Sequence, residues 1–266
     1  MIYFKGERNK SGNEIGEMNL LGIVVQLIIS WILIYVFTKK NLFVLGITPV
    51  RKRFFQFLIG FIFTGVLCAF IQIIDSTLTN AQWELNPNLT FVGIVNLLWW
   101  NIKSVVFEEL IFRGALLYIA IQKLGARIGI FLSAMSFGIY HWFSYGVFGD
   151  VGSMTIVFIM TAITGLVWAL AFLKTKSIAL PIGLHLGWNF TYNSIFSKGP
   201  LGEQILVKGN ENIQLMGELN FLINFLLPNL AVPLLTYLFI KFLHSKLYSK
   251  DQWVETKGYS NQIHSK

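Results

Sequence analysis

Residues 91–121 read FVGIVNLLWWNIKSVVFEELIFRGALLYIAI, an apolar run that carries Asn101, Lys103, Glu108, Glu109 and Arg113. As a helix rising about 1.5 Å per residue, a segment of about 31 residues extends about 45 Å. That exceeds the ~30 Å hydrocarbon core of a bilayer, so the segment must tilt, reach past the bilayer or break. Ionisable groups at membrane depth are costly, and they face a protein interior or a wet cavity where they mark function. The expected fold is therefore all-α: a polytopic transmembrane helical bundle of about seven spans, with the polar site in a cavity between helices.

Composition supports this. Of the 266 residues, 55% are hydrophobic and 13% charged, including 24 Phe and 8 Trp, whereas soluble domains carry about 25% charged residues. No polar linker divides the chain, so residues 1–266 read as a single membrane domain. The polar opening segment through Met18 lacks the basic end, short apolar core and cleavage site of a signal peptide, and the first apolar run is expected to stay as a span. A single cysteine, Cys68, excludes an intramolecular disulfide and a multi-thiolate metal site; in its apolar run it reads as a small buried filler.

Outward from 91–121, six more runs have spanning length, at roughly 19–38, 54–74, 128–148, 153–173, 177–196 and 220–243. The first connection holds Lys39, Lys40, Arg51, Lys52 and Arg53, the third Lys123 and Arg127, and the fifth Lys174 and Lys176. The second holds Asp75 and Glu84 and no base, the fourth only Asp150, and the sixth leans acidic through Glu203, Glu211 and Glu218 against Lys198 and Lys208. The tail adds Lys246, Lys250, Lys257 and Lys266. This alternation places the odd connections and the C-terminus, with a polar tail at 245–266, on the cytoplasmic side of the cell membrane. The net charge of +8 then reports topology, and nucleic acid is not an expected partner. The N-terminal segment, with Lys5, Arg8 and Lys10, is the one discordant piece and is expected outside.

Glu108 and Glu109, as helical neighbours, point about 100° apart and cannot share one task. Glu109 and Arg113 stand i, i+4 in the order that suits a helical ion pair. Glu108 has Phe112 one turn on and no base one turn away, since Lys103 lies five positions earlier. An acid left over in a low-dielectric setting suits a general base or acid near neutral pH. Two further apolar runs carry one histidine each. Phe137 and His141 share a helix face, as do His185 and Asn189, with Pro181 in the first turn where its missing N–H costs little. A histidine and an asparagine one turn apart can grip an oxyanion or a water. Lipid satisfies none of these groups, so the three helices are expected to converge. The other two histidines, His244 and His264, fall at the membrane edge and in the tail and read as inert.

Glu-Glu-x-x-x-Arg, Phe-x-x-x-His and His-x-x-x-Asn, in that order over residues 107–189, resemble the CPBP (CAAX protease/Abi, bacteriocin-processing) family of intramembrane endopeptidases, relatives of the type II CAAX prenyl protease. The resemblance implies a catalytic core at 91–196 that cleaves a membrane-associated or lipid-anchored peptide or protein. By motif position it implies Glu108 as the base for the attacking water, His141 as a holder of that water, His185 and Asn189 as oxyanion stabilisers, and Glu109 with Arg113 as a structural ion pair.

Metal dependence is left open by the residues. The His-Glu-x-x-His pattern of helical zinc proteases is absent. If zinc is present, Glu108, His141 and His185 are the available ligands, but Glu108 would then no longer be the base. A metal-free glutamate mechanism without a cofactor is the expectation. The alternative function is a non-catalytic member, a scaffold, immunity or regulatory factor that binds peptides in the same cavity. A proton-coupled transporter is the weaker third reading, because no inverted repeat is present.

Overall fold

The computed structural model describes residues 12–202, 204–209 and 213–247. The N-terminal bases, Glu203, Glu211, His264 and nearly all of the tail at 245–266 lie outside the described residues.

The chain is built of helices α1 (Gly12–Thr38), α2 (Val50–Leu78), α3 (Phe91–Phe112), α4 (Ala115–Leu124), α5 (Ala126–Ser144), α6 (Val151–Thr175) and α7 (Ala179–Phe190), then α8 (Gly217–Phe221) and α9 (Val232–Leu247). Wide π-type turns follow α7 at Thr191–Ile195 and join α8 to α9 across Leu222–Ala231, which contains Pro228. Side chains define several of the starts. The Thr90 hydroxyl accepts from the Gly93 N–H at the head of α3, and the Asp150 carboxylate accepts from the Gly152 N–H at the head of α6.

Among the described residues four segments are long and apolar enough to cross a membrane: Leu21–Thr38, Leu42–Leu78, Val151–Thr175 and Gly217–Ser245. The expected count of about seven is not reached on length and composition, and the reason lies in the polar helices. The 91–121 run breaks at Arg113–Gly114 into α3 and α4. A Cβ on Gly114 would lie 2.1 Å from the Leu110 carbonyl oxygen, so only glycine fits that turn. The 177–196 run is a 12-residue helix completed by a π-turn. Helices enclosed by other helices need neither full length nor uniform apolarity, because protein rather than lipid satisfies their polar groups.

Two short strands correct the purely helical expectation. β1 (Trp83–Leu85) in the second connection pairs antiparallel with β2 (Leu206–Lys208) in the sixth. Beside them the buried Asp75 carboxylate accepts from Lys198 at 3.3 Å and Lys208 at 2.9 Å. The second and sixth connections therefore share one end of the bundle. At the other end the first meets the fifth: Arg53 Nη1 donates to the Thr175 carbonyl, the Ser177 hydroxyl to the Gly46 carbonyl and the Ile178 N–H to the Leu45 carbonyl. The first and fifth connections thus meet at one end and the second and sixth at the other, in line with their charges.

The contact that places the site is between α2 and α7. Gly183 and Gly187 sit one turn apart on α7, and a Cβ on either would come within 2.1 and 2.2 Å of the Phe57 and Phe61 carbonyl oxygens of α2. Small residues let two backbones meet at this distance. Cys68 is buried in α2, as its apolar surroundings suggest.

Candidate active site

α3 brings Glu108 and Glu109 into the bundle in its last turn, and Arg113 caps that helix. Glu109 and Arg113 are wholly buried. Arg113 Nη1 donates to Glu109 Oε1 at 2.9 Å, and Nη2 donates to the Gly165 carbonyl of α6 at 3.1 Å. The guanidinium lies 4.2 Å from the Phe137 ring centroid and 5.2 Å from that of Trp168, so aromatic faces cover a cation that no water reaches. A side chain at position 165 would have no room, with Phe137 2.9 Å and Arg113 Nη2 3.2 Å from its Cβ.

His185, on the face of α7 away from the glycines, reaches across to α3. Its Nδ1 is 2.9 Å from Glu109 Oε1 and its Nε2 is 3.8 Å from Glu108 Oε2. The ring stacks on Trp168 with centroids 4.1 Å apart and planes 27° apart. Glu109 is thus shared: the pair expected to serve structure alone also holds a site histidine. Two carboxylate oxygens, Glu108 Oε2 and Glu109 Oε2, are buried without a hydrogen-bond partner.

His141 on α5 joins the site through rings. Its Nδ1 donates to the Phe137 carbonyl at 2.7 Å, and its ring packs edge-on to Phe137 at 4.4 Å and Tyr145 at 5.1 Å. Phe137 also meets the His185 ring at 6.2 Å, which makes it the shared wall of both histidines. Among the described residues no hydrogen bond joins His141 to Glu108 or His185. Asn189 is half-buried one turn beyond His185, and no hydrogen bond ties its amide to the other site residues among those described. His244, near the end of α9, lies close enough to Lys174 and Lys176 to feel their charge.

The structure adds residues that the motifs did not point to. Trp168 stacks on His185 and Gly165 receives Arg113; both lie on α6, an apolar helix without a polar signal. Tyr140 and Tyr145 flank Glu108 closely enough to feel its charge. Tyr140 adjoins His141 in sequence, and its ring packs edge-on to that of His141 at 5.3 Å.

Among the described residues no three His, Cys, Asp or Glu side chains are placed to hold a metal ion; the Nδ1 atoms of both histidines are engaged by Phe137 and Glu109, which leaves Nε2 as the ring nitrogen open to a further partner.

Residues 89–191, from the cap of α3 to the end of α7, match the family described as type II CAAX prenyl endopeptidase Rce1-like. The matched stretch contains every residue of the site. No curated protein and no solved structure matches the chain significantly.

Proposed function

We propose that the chain, whose residues 89–191 match the Rce1-like family of type II CAAX prenyl endopeptidases, is a CPBP-family protease that hydrolyses a peptide bond of a membrane-associated or lipid-modified peptide or protein inside the bundle. The observation that carries this reading is Glu108 Oε2: buried, unpartnered, and 3.8 Å from His185 Nε2. A water held at hydrogen-bond distance from both atoms is at once polarised and aimed.

In the proposed sequence Glu108 takes a proton from that water as its oxygen bonds to the scissile carbonyl carbon. The carbonyl electrons move onto oxygen. The Asn189 amide N–H then donates to the oxyanion, as does the Nε2–H of a His185 ring that enters the cycle protonated and keeps its proton throughout. Glu108 returns its proton to the amide nitrogen as the C–N bond breaks and the oxyanion collapses. His141 has its lone pair on Nε2 when neutral, because a carbonyl fixes the hydrogen on Nδ1, and it steadies the water as an acceptor. No step in this sequence is routed through a metal. A substrate met near the cytoplasmic face is the reading that the loop charges favour.

The test compares the membrane and secreted peptides of cells that carry the wild-type protein with those of cells that carry Glu108→Gln. An unprocessed precursor confined to the variant supports the proposal; identical processing by a folded Glu108→Gln protein sinks it.

A further inference from the structure

The two site histidines are oriented by different kinds of anchor. A backbone carbonyl and an ionised carboxylate can only accept, so both rings carry their hydrogen on Nδ1. For His141 the acceptor, Phe137, stands one turn earlier on the same helix. For His185 it comes from 76 residues earlier, on α3. A carboxylate that served its arginine alone would offer both oxygens to the guanidinium fork. Glu109 instead places Oε1 between Arg113 Nη1 and His185 Nδ1, each 2.9 Å away, and leaves Oε2 without a partner.

We infer that Glu109 is a positioning residue, whose Oε1 holds His185 in the Nδ1–H tautomer and thereby aims Nε2 at Glu108. This deepens the protease reading and rests on it for the link to catalysis. The chemical consequence is specific. A neutral His185 in the other tautomer would donate its Nε2–H towards Glu108 and occupy the carboxylate that has to take a proton. With Nδ1–H held by Glu109, Nε2 is the ring nitrogen turned to Glu108: it accepts in a neutral ring and donates in a ring that is already protonated. Trp168 resists a flip of the ring by stacking on its face.

The experiment separates this role from that of an ion pair. A buried pair that only balances charge can be replaced by apolar residues of similar size with little loss of stability. The double variant Glu109→Leu/Arg113→Leu makes that replacement. The His185 ring nitrogens are read by 15N NMR of the full-length protein in lipid nanodiscs, with the signals assigned by their loss in His185→Gln. The expected wild-type spectrum has a protonated Nδ1 and a bare Nε2 while the ring is neutral. In the folded double variant the tautomers mix, and precursor processing falls by on the order of a hundredfold through kcat rather than KM.

A wild-type Nε2–H ring overturns the inference. So does a double variant that keeps the Nδ1–H form or processes at the wild-type rate. If the double variant does not fold, the wild-type spectrum alone decides whether the bond exists. Because the ring nitrogens report whether or not anything is cleaved, the tautomer assignment can fail while the protease reading stands, and the reverse.

Discussion

The Thr64 hydroxyl of α2 donates to the Leu184 carbonyl of α7 at 2.6 Å, one residue before His185. The bond lies between the two close glycine contacts of the same helix pair, so the histidine is set by a backbone-to-backbone fit and not by its own side-chain contacts alone. Catalytic geometry that tolerates errors below about half an ångström needs such support.

Gly187→Ala tests that fit. Its Cβ would fall 2.2 Å from the Phe61 carbonyl oxygen and 2.6 Å from Thr64 Oγ1, both on α2, so α7 must move. Overpacking of this kind costs about 1–3 kcal/mol. The variant should unfold at a lower temperature in detergent and lose processing more than stability. A variant with wild-type Tm and wild-type processing would show that α7 can shift freely.

Glu108→Gln should separate activity from stability. The carboxylate is buried with an unsatisfied oxygen, so replacing it with a neutral amide relieves a desolvated charge. Processing should fall by about 10²–10⁴-fold, the range of a lost general base, while the unfolding midpoint stays level or rises. The pair of measurements is a thermal melt and a precursor-to-product ratio on the same preparation.

Trp168→Phe removes the larger ring from the His185 stack and keeps an apolar filler. Aromatic stacks contribute about 0.5–1.5 kcal/mol beyond area burial, so kcat should drop about 2- to 10-fold with KM little changed. A change confined to KM would place Trp168 in substrate binding and not in histidine placement.

Chelation addresses the metal. With no three-donor set among the described residues, processing by the purified protein should persist after treatment with a strong zinc chelator. Activity that vanishes and returns with added zinc would require a ligand arrangement other than the one seen.

Much of the site was legible along the chain because it obeys the helical period. Glu109 with Arg113 is an i, i+4 pair, and so is the Phe137 carbonyl with His141; such relations follow from the helix and need no tertiary knowledge. The polar groups in apolar runs likewise had to face one another, since lipid offers them nothing. The break at Gly114 was anticipated only as one of three outcomes for a run too long to cross. Trp168 and Gly165 were invisible, because an apolar residue in an apolar helix carries no pattern that tells a site wall from a lipid face.

By itself, then, the sequence determined a helical membrane protein, the three polar helices, the Glu109–Arg113 pair and the segregation of connections, because hydropathy, charge and a 3.6-residue repeat are local properties. Only the tertiary structure decided that Glu109 also reaches His185 and that β1 and β2 clasp the two acid-leaning connections. Those depend on contacts between residues up to 133 positions apart, such as Lys208 with Asp75. Packing of glycine against backbone, as between α2 and α7, settles which partners can come that close.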